Sequence, residues 1–232
     1  METYKVPIPN LVIETTRKCN MACEHCLRGD AQSLDMPKET ICQLLNQVNE
    51  IGHVTFSGGE PSLAVNIIEY FLEQCKQREI ELGWFYIATN GLNISESFII
   101  TCLKLYAYSN EKEMCLVQVS NDGYHAYENS YNTELLDGLS FFERKFKKEA
   151  SYEFKVVTQG RGIDIGESDV MEHEIVNTAD WDEAEIYLNC KGNIINGCDW
   201  SYESQDEEKR ILCNVKDLTK FYLGLEESVC FI

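Results

Sequence analysis

Three closely spaced cysteines are the residues of this sequence most suited to metal chemistry. Cys19, Cys23 and Cys26 form a Cys-x3-Cys-x2-Cys loop. Cysteine thiolates are the characteristic ligands of iron–sulfur cubanes, and three of them leave one of the four irons open to another molecule. The alternatives are a structural zinc site or three unrelated cysteines. Zinc usually needs a second ligand pair at short spacing, which the sequence lacks, and His25 lies too close to Cys26 to complete a zinc site without strain.

A second group of residues suited to ligand binding follows a short apolar run. Phe56 and Ser57 lead into Gly58-Gly59-Glu60-Pro61. Glycines let the backbone approach a ligand closely at a strand end, and a carboxylate accepts hydrogen bonds from an ammonium group. Gly-Gly-Glu alone is common in turns. Its place one strand after the cysteine loop favours a shared site.

Together these motifs resemble the radical S-adenosylmethionine (SAM) superfamily. Its members carry the same cysteine spacing after their first strand, often within a Thr-x-x-Cys-Asn phrase, which here is Thr16-Arg17-Lys18-Cys19-Asn20. They also carry Gly-Gly-Glu-Pro after their second strand. The resemblance implies a [4Fe–4S] cluster held by the three loop cysteines. It also implies a SAM molecule whose methionyl amine is bound by Gly58, Gly59 and Glu60.

The same resemblance implies four further SAM contacts: His25, Asn90, Ser120 and Arg161. His25 stands where the family commonly has an aromatic residue near the adenine. Asn90 lies in a Thr-Asn-Gly phrase and Ser120 in a Ser-x-Asp phrase that resemble the family's third and fourth strand ends. Arg161 is a candidate clamp for the SAM carboxylate, because guanidinium and carboxylate geometries match. Ordinary turns around Asn90 and Ser120, and an exposed loop arginine, are the alternatives.

For activity, the resemblance implies reductive cleavage of SAM. A reduced cluster gives one electron to the sulfonium, and the products are methionine and a 5′-deoxyadenosyl radical that takes hydrogen from a substrate. The cofactors supply this chemistry while the protein places them and excludes water. A ferredoxin or flavodoxin is the implied reductant.

The elements that must position these residues alternate between short apolar runs and amphipathic segments. Six runs read as strands: Leu11–Thr15, Val54–Ser57, Trp84–Thr89, Leu116–Ser120, Tyr152–Thr158 and Glu185–Asn189. Helical stripes are predicted from 41 to 48 after Pro37, from 63 to 75, from 98 to 105 and from 135 to 146.

Strands alternating with helices predict an α/β fold with parallel pairing. Six units are too few to close an eight-stranded barrel, so we expect an open, partial (β/α)6 TIM-like barrel with its chemistry at the carboxyl ends of the strands. We assign residues 1–190 to this core and residues 191–232 to a C-terminal extension that caps the barrel mouth. A hairpin turn is expected at Lys191-Gly192-Asn193.

Composition excludes several classes of partner. The formal charge of -19 argues against nucleic acid, whose binding draws on clustered Lys and Arg. No run of 18 apolar residues and no signal peptide is visible, so we expect a cytoplasmic protein without a membrane partner. The 11 cysteines are unlike a disulfide framework, and we expect Cys42, Cys75, Cys102 and Cys115 to be core residues.

The tail gives weaker signals. Gly192 to Cys198 faintly resembles the Gly-x4-Cys segment in the cluster-bearing tails of peptide-modifying radical SAM enzymes, with five intervening residues instead of four. Its cysteines, Cys190, Cys198, Cys213 and Cys230, are scattered, so we expect no second cluster. Several polar-aromatic residues either line a substrate pocket or are ordinary cap residues: Tyr124, His125, Tyr127, Asp199, Trp200 and Tyr202.

Four functions therefore compete. The leading hypothesis is modification of a peptide or protein side chain. A radical SAM enzyme acting on a small metabolite or nucleotide is close behind, and an activase of a glycyl-radical enzyme is third. An iron–sulfur electron carrier would need the cysteine loop but not Gly58-Gly59-Glu60.

Overall fold

The computed structural model describes residues 4–121, 136–146, 155–170 and 174–229. Within them one sheet of eight strands runs in the order β5-β4-β3-β2-β1-β6-β7-β8 and does not close on itself. The strands are β1 (Val6–Thr16), β2 (Val48–Gly58), β3 (Glu81–Thr89), β4 (Leu116–Asn121), β5 (Phe142–Phe146), β6 (Ile186–Leu188), β7 (Asn193–Asn196) and β8 (Ile211–Asn214). Neighbouring strands from β5 to β6 pair in parallel, whereas β7 and β8 pair antiparallel. The expected open α/β sheet is confirmed.

The helices pack on one face of this sheet. They are α1 (Lys38–Leu45), α2 (Val65–Arg78), α3 (Glu96–Tyr108), α4 (Thr178–Glu183) and α5 (Leu218–Val229). The first three lie where the apolar stripes predict them. Pro37 precedes the first residue of α1, and the Ser95 hydroxyl accepts a hydrogen bond from the Phe98 amide to cap α3. No helix in the described ranges is both long and apolar enough to cross a bilayer.

Side chains alternate along the central strands, so one face of the sheet forms the core. In β2 and β3, Val54, Phe56, Phe85 and Ile87 are fully buried under the helices. The residues between them are half-buried on the opposite face. This period of two is what fixes the register of a half-buried strand. Three predicted core cysteines, Cys75, Cys102 and Cys115, are buried, whereas Cys42 is half-buried beside the Tyr70 hydroxyl.

The helix predicted from 135 to 146 was wrong at its second half. A helix was expected from 135 to 146, but Phe142–Phe146 forms β5 and pairs with β4. A strand was expected at Tyr152–Thr158. Residues 152–154 lie outside the described ranges, and Val157 makes only an isolated bridge to Ser168. Apolar residues three or four apart predict a helix, but Phe142 and Phe146 also fit a strand's period of two, and short runs do not separate the two patterns.

The sixth predicted strand forms, but on the far side of the sheet. β6 pairs with β1, not with β5. Gly192, with a φ of 80°, turns the chain back into β7 as expected, and β8 completes a three-stranded extension. The strands β6, β7 and β8 belong to the same sheet as β1 to β5. The two-domain division at residue 190 stays a prediction.

Candidate functional site

The three predicted cluster ligands lie on one loop after β1. Cys19, Cys23 and Cys26 are all half-buried free thiols. Tight turns shape the loop: the Cys26 amide donates to the Cys23 carbonyl at 3.2 Å and the Gly29 amide donates to the Cys26 carbonyl at 3.1 Å. Burial raises the pKa of Cys19, and the charges of Glu60 and the other two loop cysteines raise it further. A bound cation relieves this repulsion, since metal ligation stabilises the thiolate.

The loop geometry differs from that of a mononuclear metal site. In the described part of the chain, no three His, Cys, Asp or Glu side chains converge closely enough to hold a single metal ion. A cubane places each thiolate on a different iron, so its ligands do not have to converge on one point. The three cysteines are compatible with a cubane, and their role as cluster ligands stays a prediction.

Gly58 and Gly59 place the end of β2 directly against the start of the cysteine loop. A Cβ on Gly58, whose φ is 126°, would lie 2.1 Å from the Thr16 carbonyl oxygen, and a Cβ on Gly59 would lie 2.1 Å from that of Lys18. The Gly59 amide donates to Thr16 at 2.7 Å and the Glu60 amide to Lys18 at 2.9 Å. The close approach that sequence reasoning assigned to a ligand is therefore, in this structure, an approach to the loop's own backbone.

Glu60 is held rigidly beside this junction. Its side chain is 1% exposed. One carboxylate oxygen accepts hydrogen bonds from the Ser62 amide at 2.9 Å and the Thr89 hydroxyl at 2.6 Å, and the other accepts from the Asn90 amide at 2.8 Å. A carboxylate has about four acceptor positions, so one remains for a further donor. The buried Ser62 hydroxyl beside it has no partner within the described structure. Both observations fit a bound ammonium-bearing ligand.

Asn90 and Ser120 lie at the same edge of the sheet. The Asn90 side-chain amide donates to Asn20 of the cysteine loop at 2.8 Å and lies 4.0 Å from the Cys19 sulfur. Ser120 is half-buried and follows Val119, the residue of β4 that pairs with Thr89. The structure thus brings Asn90 directly to the cysteine loop, and their predicted contacts with SAM stay predictions.

Arg161 contacts the cysteine loop itself. Its guanidinium Nε donates to the Cys23 carbonyl at 2.8 Å and Nη1 to Asp30 at 2.9 Å, while its amide donates to the Cys26 carbonyl at 3.0 Å. Its neighbour Gly160, with a φ of 56°, packs so tightly that a Cβ there would lie 2.4 Å from the Gly29 nitrogen. Most of the guanidinium is therefore engaged, and the predicted SAM-carboxylate contact stays a prediction, as does the adenine contact of the half-buried His25.

The tail contacts the loop from another side. Arg28 of the loop was missed by sequence reasoning, whereas Trp200 and Tyr202 of the tail were named as pocket or cap residues. The Tyr202 amide donates to the Arg28 carbonyl at 3.1 Å, and the Arg28 guanidinium donates to the Trp200 carbonyl at 2.6 Å. Trp200 and Tyr202 are buried, and Tyr124, His125 and Tyr127 lie outside the described ranges. The sequence signal for these contacts was a pair of arginines, Arg17 and Arg28, on either side of the cysteine loop. Arginines on a solvent-exposed surface would give the same sequence pattern.

A buried ion pair also connects β1 to the tail. Glu14 and Arg17 are both fully buried, with 2.7 Å between the Glu14 oxygen and the Arg17 Nε. Glu14 also accepts hydrogen bonds from the Tyr187 hydroxyl and the Cys190 amide. The other Arg17 nitrogens donate to Gln32 and to Gln205 in the tail. Since every group of the pair has partners, its burial is compensated.

Comparison with known proteins agrees with this geometry. Residues 13–117 match the family model of the radical SAM superfamily, a range that includes the cysteine loop, Gly58–Glu60 and Asn90. This part of the chain is therefore similar to a radical SAM domain. A curated relative of this domain is the uncharacterized protein MJ0907 of Methanocaldococcus jannaschii, 34% identical over 92 residues, which are 38% of this chain. The chain matches only 32% of that relative's length.

One solved structure shares the fold at low sequence identity, and two others give lower scores. SeMet BtrN in an open conformation superimposes with a TM-score of 0.51 at 15% identity, covering 98% of this chain and 88% of that one. Native anSMEcpe, whose structure holds AdoMet and the Cp18Cys peptide, gives a TM-score of 0.48 at 14% identity, covering 98% and 83%. Streptococcus suis SuiB bound to the precursor peptide SuiA gives 0.35 at 21% identity, covering 50% and 25%.

Proposed function

We propose that this protein is a radical SAM enzyme that binds a [4Fe–4S] cluster through Cys19, Cys23 and Cys26 and reductively cleaves SAM. The observation that carries the proposal is the junction of three strand ends. The cysteine loop, Glu60 and Asn90 are linked by direct hydrogen bonds, and Asn90 lies 4.0 Å from the Cys19 sulfur. The match to the radical SAM family model spans the same residues.

Each group has a distinct task in this proposal. The three thiolates hold three irons and leave the fourth for the amine and carboxylate of SAM. Glu60, with three donors already in place, offers its remaining acceptor position to an N–H of the SAM amino group. When bound and reduced, the cluster supplies the electron that breaks a carbon–sulfur bond of SAM. The residues themselves bind, orient and exclude water. The reductant we propose is a ferredoxin or flavodoxin.

SAM cleavage without a substrate tests the proposal. Anaerobically reconstituted protein, reduced with dithionite and supplied with SAM, is expected to release 5′-deoxyadenosine and methionine, which chromatography quantifies. Cys23→Ala is the matched negative variant. Equal traces from both proteins, or none from a wild type with an intact cluster, would contradict the proposal. The second of these outcomes would favour an electron carrier.

For the substrate, we propose a peptide or protein side chain. The support is the faint likeness of the Gly192–Cys198 segment to the tails of peptide-modifying members. A small metabolite or nucleotide is the second candidate, and activation of a glycyl-radical enzyme is the third. Stimulation of 5′-deoxyadenosine release separates them. Short peptides encoded near the gene are expected to stimulate release, whereas stimulation by free nucleosides or amino acids alone would overturn the peptide assignment.

A further inference from the structure

The hydroxyl of Tyr202 is a buried donor without an acceptor. The Tyr202 side chain is 3% exposed, and its hydroxyl makes no hydrogen bond within the described structure. Leaving such a group unpaired is costly, so a native structure rarely keeps one without a reason. The ring itself is well placed, with the Arg17 guanidinium carbon 4.5 Å from its centroid. Packing therefore accounts for the ring but not for the hydroxyl.

Arg28 lies next to it and is a buried cation. It is 8% exposed, donates one hydrogen bond to the Trp200 carbonyl, and lies 4.8 Å from the Tyr187 ring centroid. In the described ranges no carboxylate lies within ion-pair distance of it. The buried carboxylate of this region, Glu14, is already paired with Arg17. Glu14, Arg17 and Arg28 together therefore carry one positive charge in excess, and a buried excess charge is costly unless a group of opposite charge lies nearby.

Both residues are next to the third cluster ligand. Arg28 is two positions after Cys26, and the Tyr202 amide is hydrogen-bonded to the Arg28 carbonyl. The Cys26 thiolate is also among the charges that raise the pKa of Tyr202, after burial and Glu14. A buried O–H donor and a buried guanidinium therefore belong to residues that adjoin the Cys26 end of the loop.

We infer that Tyr202 and Arg28 are positioning residues that stabilise negative charge on the group bound at Cys26 and so raise its reduction potential. This inference rests on the proposed function, because it needs the cluster. A cluster with thiolate ligands gains a further negative charge on reduction. Hydrogen bonds and net charge around such clusters set their potentials. The tail thereby acts on the electron-transfer step without touching SAM.

A redox titration of the loaded protein in the absence of SAM tests this inference, with EPR as the readout. Arg28→Gln is expected to lower the midpoint potential by about 59 mV, a tenfold change in a one-electron equilibrium. Tyr202→Phe keeps the ring over Arg17 and removes only the unpaired hydroxyl, so it is expected to retain full iron content and to shift the potential in the same direction. Arg28→Lys, which conserves the charge, is expected to stay near wild type.

Matched variants near the amino end of β3, away from the cysteine loop, control for effects of removing any hydroxyl or any charge. Tyr108→Phe removes a hydroxyl that donates to the Ile80 carbonyl, and Arg78→Gln removes a charge at the end of α2; neither should move the potential. Wild-type potentials in both Tyr202→Phe and Arg28→Gln, in a protein that still cleaves SAM, would overturn this inference alone. A wild type that binds no cluster would overturn the proposed function and this inference with it.

Discussion

Glu60 illustrates how a single carboxylate is prepared for binding. It is buried, yet three donors from β3 and the turn after β2 fix its orientation. Such a group needs no rearrangement when a ligand arrives, which lowers the entropic cost of binding. The sequence motif identified the residue, but only the structure shows that its neighbours hold it in place.

Glu60→Gln is expected to retain the cluster and to bind SAM about tenfold more weakly. A charge-assisted hydrogen bond is roughly twice as strong as a neutral one, and a loss of about 1.4 kcal/mol corresponds to a factor of ten. Calorimetry on the cluster-loaded protein measures this affinity. Glu69→Gln, on the exposed face of α2, is the control. Unchanged SAM affinity in Glu60→Gln would show that the motif has another role.

Cys23→Ala is expected to abolish cluster binding, whereas Cys102→Ala should leave it intact. Cys102 is fully buried in α3, and burial raises the pKa of its thiol well above the usual value, so it stays protonated and does not compete for iron. Iron and sulfide analysis is expected to give about four of each per wild-type chain. Values near twice that would indicate a second cluster in the tail.

At the scale of elements, the sequence predicts strands and helices with long apolar patterns better than it predicts contacts between distant parts of the chain. Strands β1 to β4 and helices α1 to α3 were predictable because their apolar periods are long and their ends carry turn residues. The segment around Phe142 was not, because a short run fits both periods. Arg161 was recognised as a candidate, but its contact with the Cys23 carbonyl depends on a loop 138 positions away.

Gly160→Ala is expected to loosen the cysteine loop. Alanine disfavours a φ of 56°, and its Cβ would meet the backbone of Gly29, Leu27 and Cys26. We expect the loaded variant to lose iron to a chelator several-fold faster than wild type, which absorbance follows. Gly138→Ala is the matched control, since a Cβ there meets no atom within 4 Å. Equal rates in both variants would show that this contact does not secure the loop.

At the scale of the whole molecule, one buried core includes residues on both sides of residue 190. One cluster of buried residues extends from Val6 to Leu225 and includes Ile186 and Ile194 from either side of residue 190. The fully buried Trp181 of α4 packs against Tyr222 of α5 and donates a hydrogen bond to the Pro7 carbonyl. A shared core of this kind couples the stability of its parts.

Ile194→Ala is therefore expected to destabilise the whole protein in a single transition. Truncating a fully buried isoleucine costs about 2–5 kcal/mol of unfolding free energy. Urea unfolding followed by circular dichroism and by tryptophan fluorescence should give coincident curves for wild type and variant. An early transition confined to the tail would instead favour a separate extension from residue 191.

The central position of β1 has a consequence for the order in which the molecule is made. Its Glu14 is bound by the Cys190 amide, 176 positions later in the chain. At the usual rates of translation this separation represents on the order of ten seconds or more. During that interval the cysteine loop has left the ribosome, while Trp200, Tyr202 and Gln205 have not yet been synthesised. Iron–sulfur delivery that depends on the fully supported loop is therefore a post-translational event.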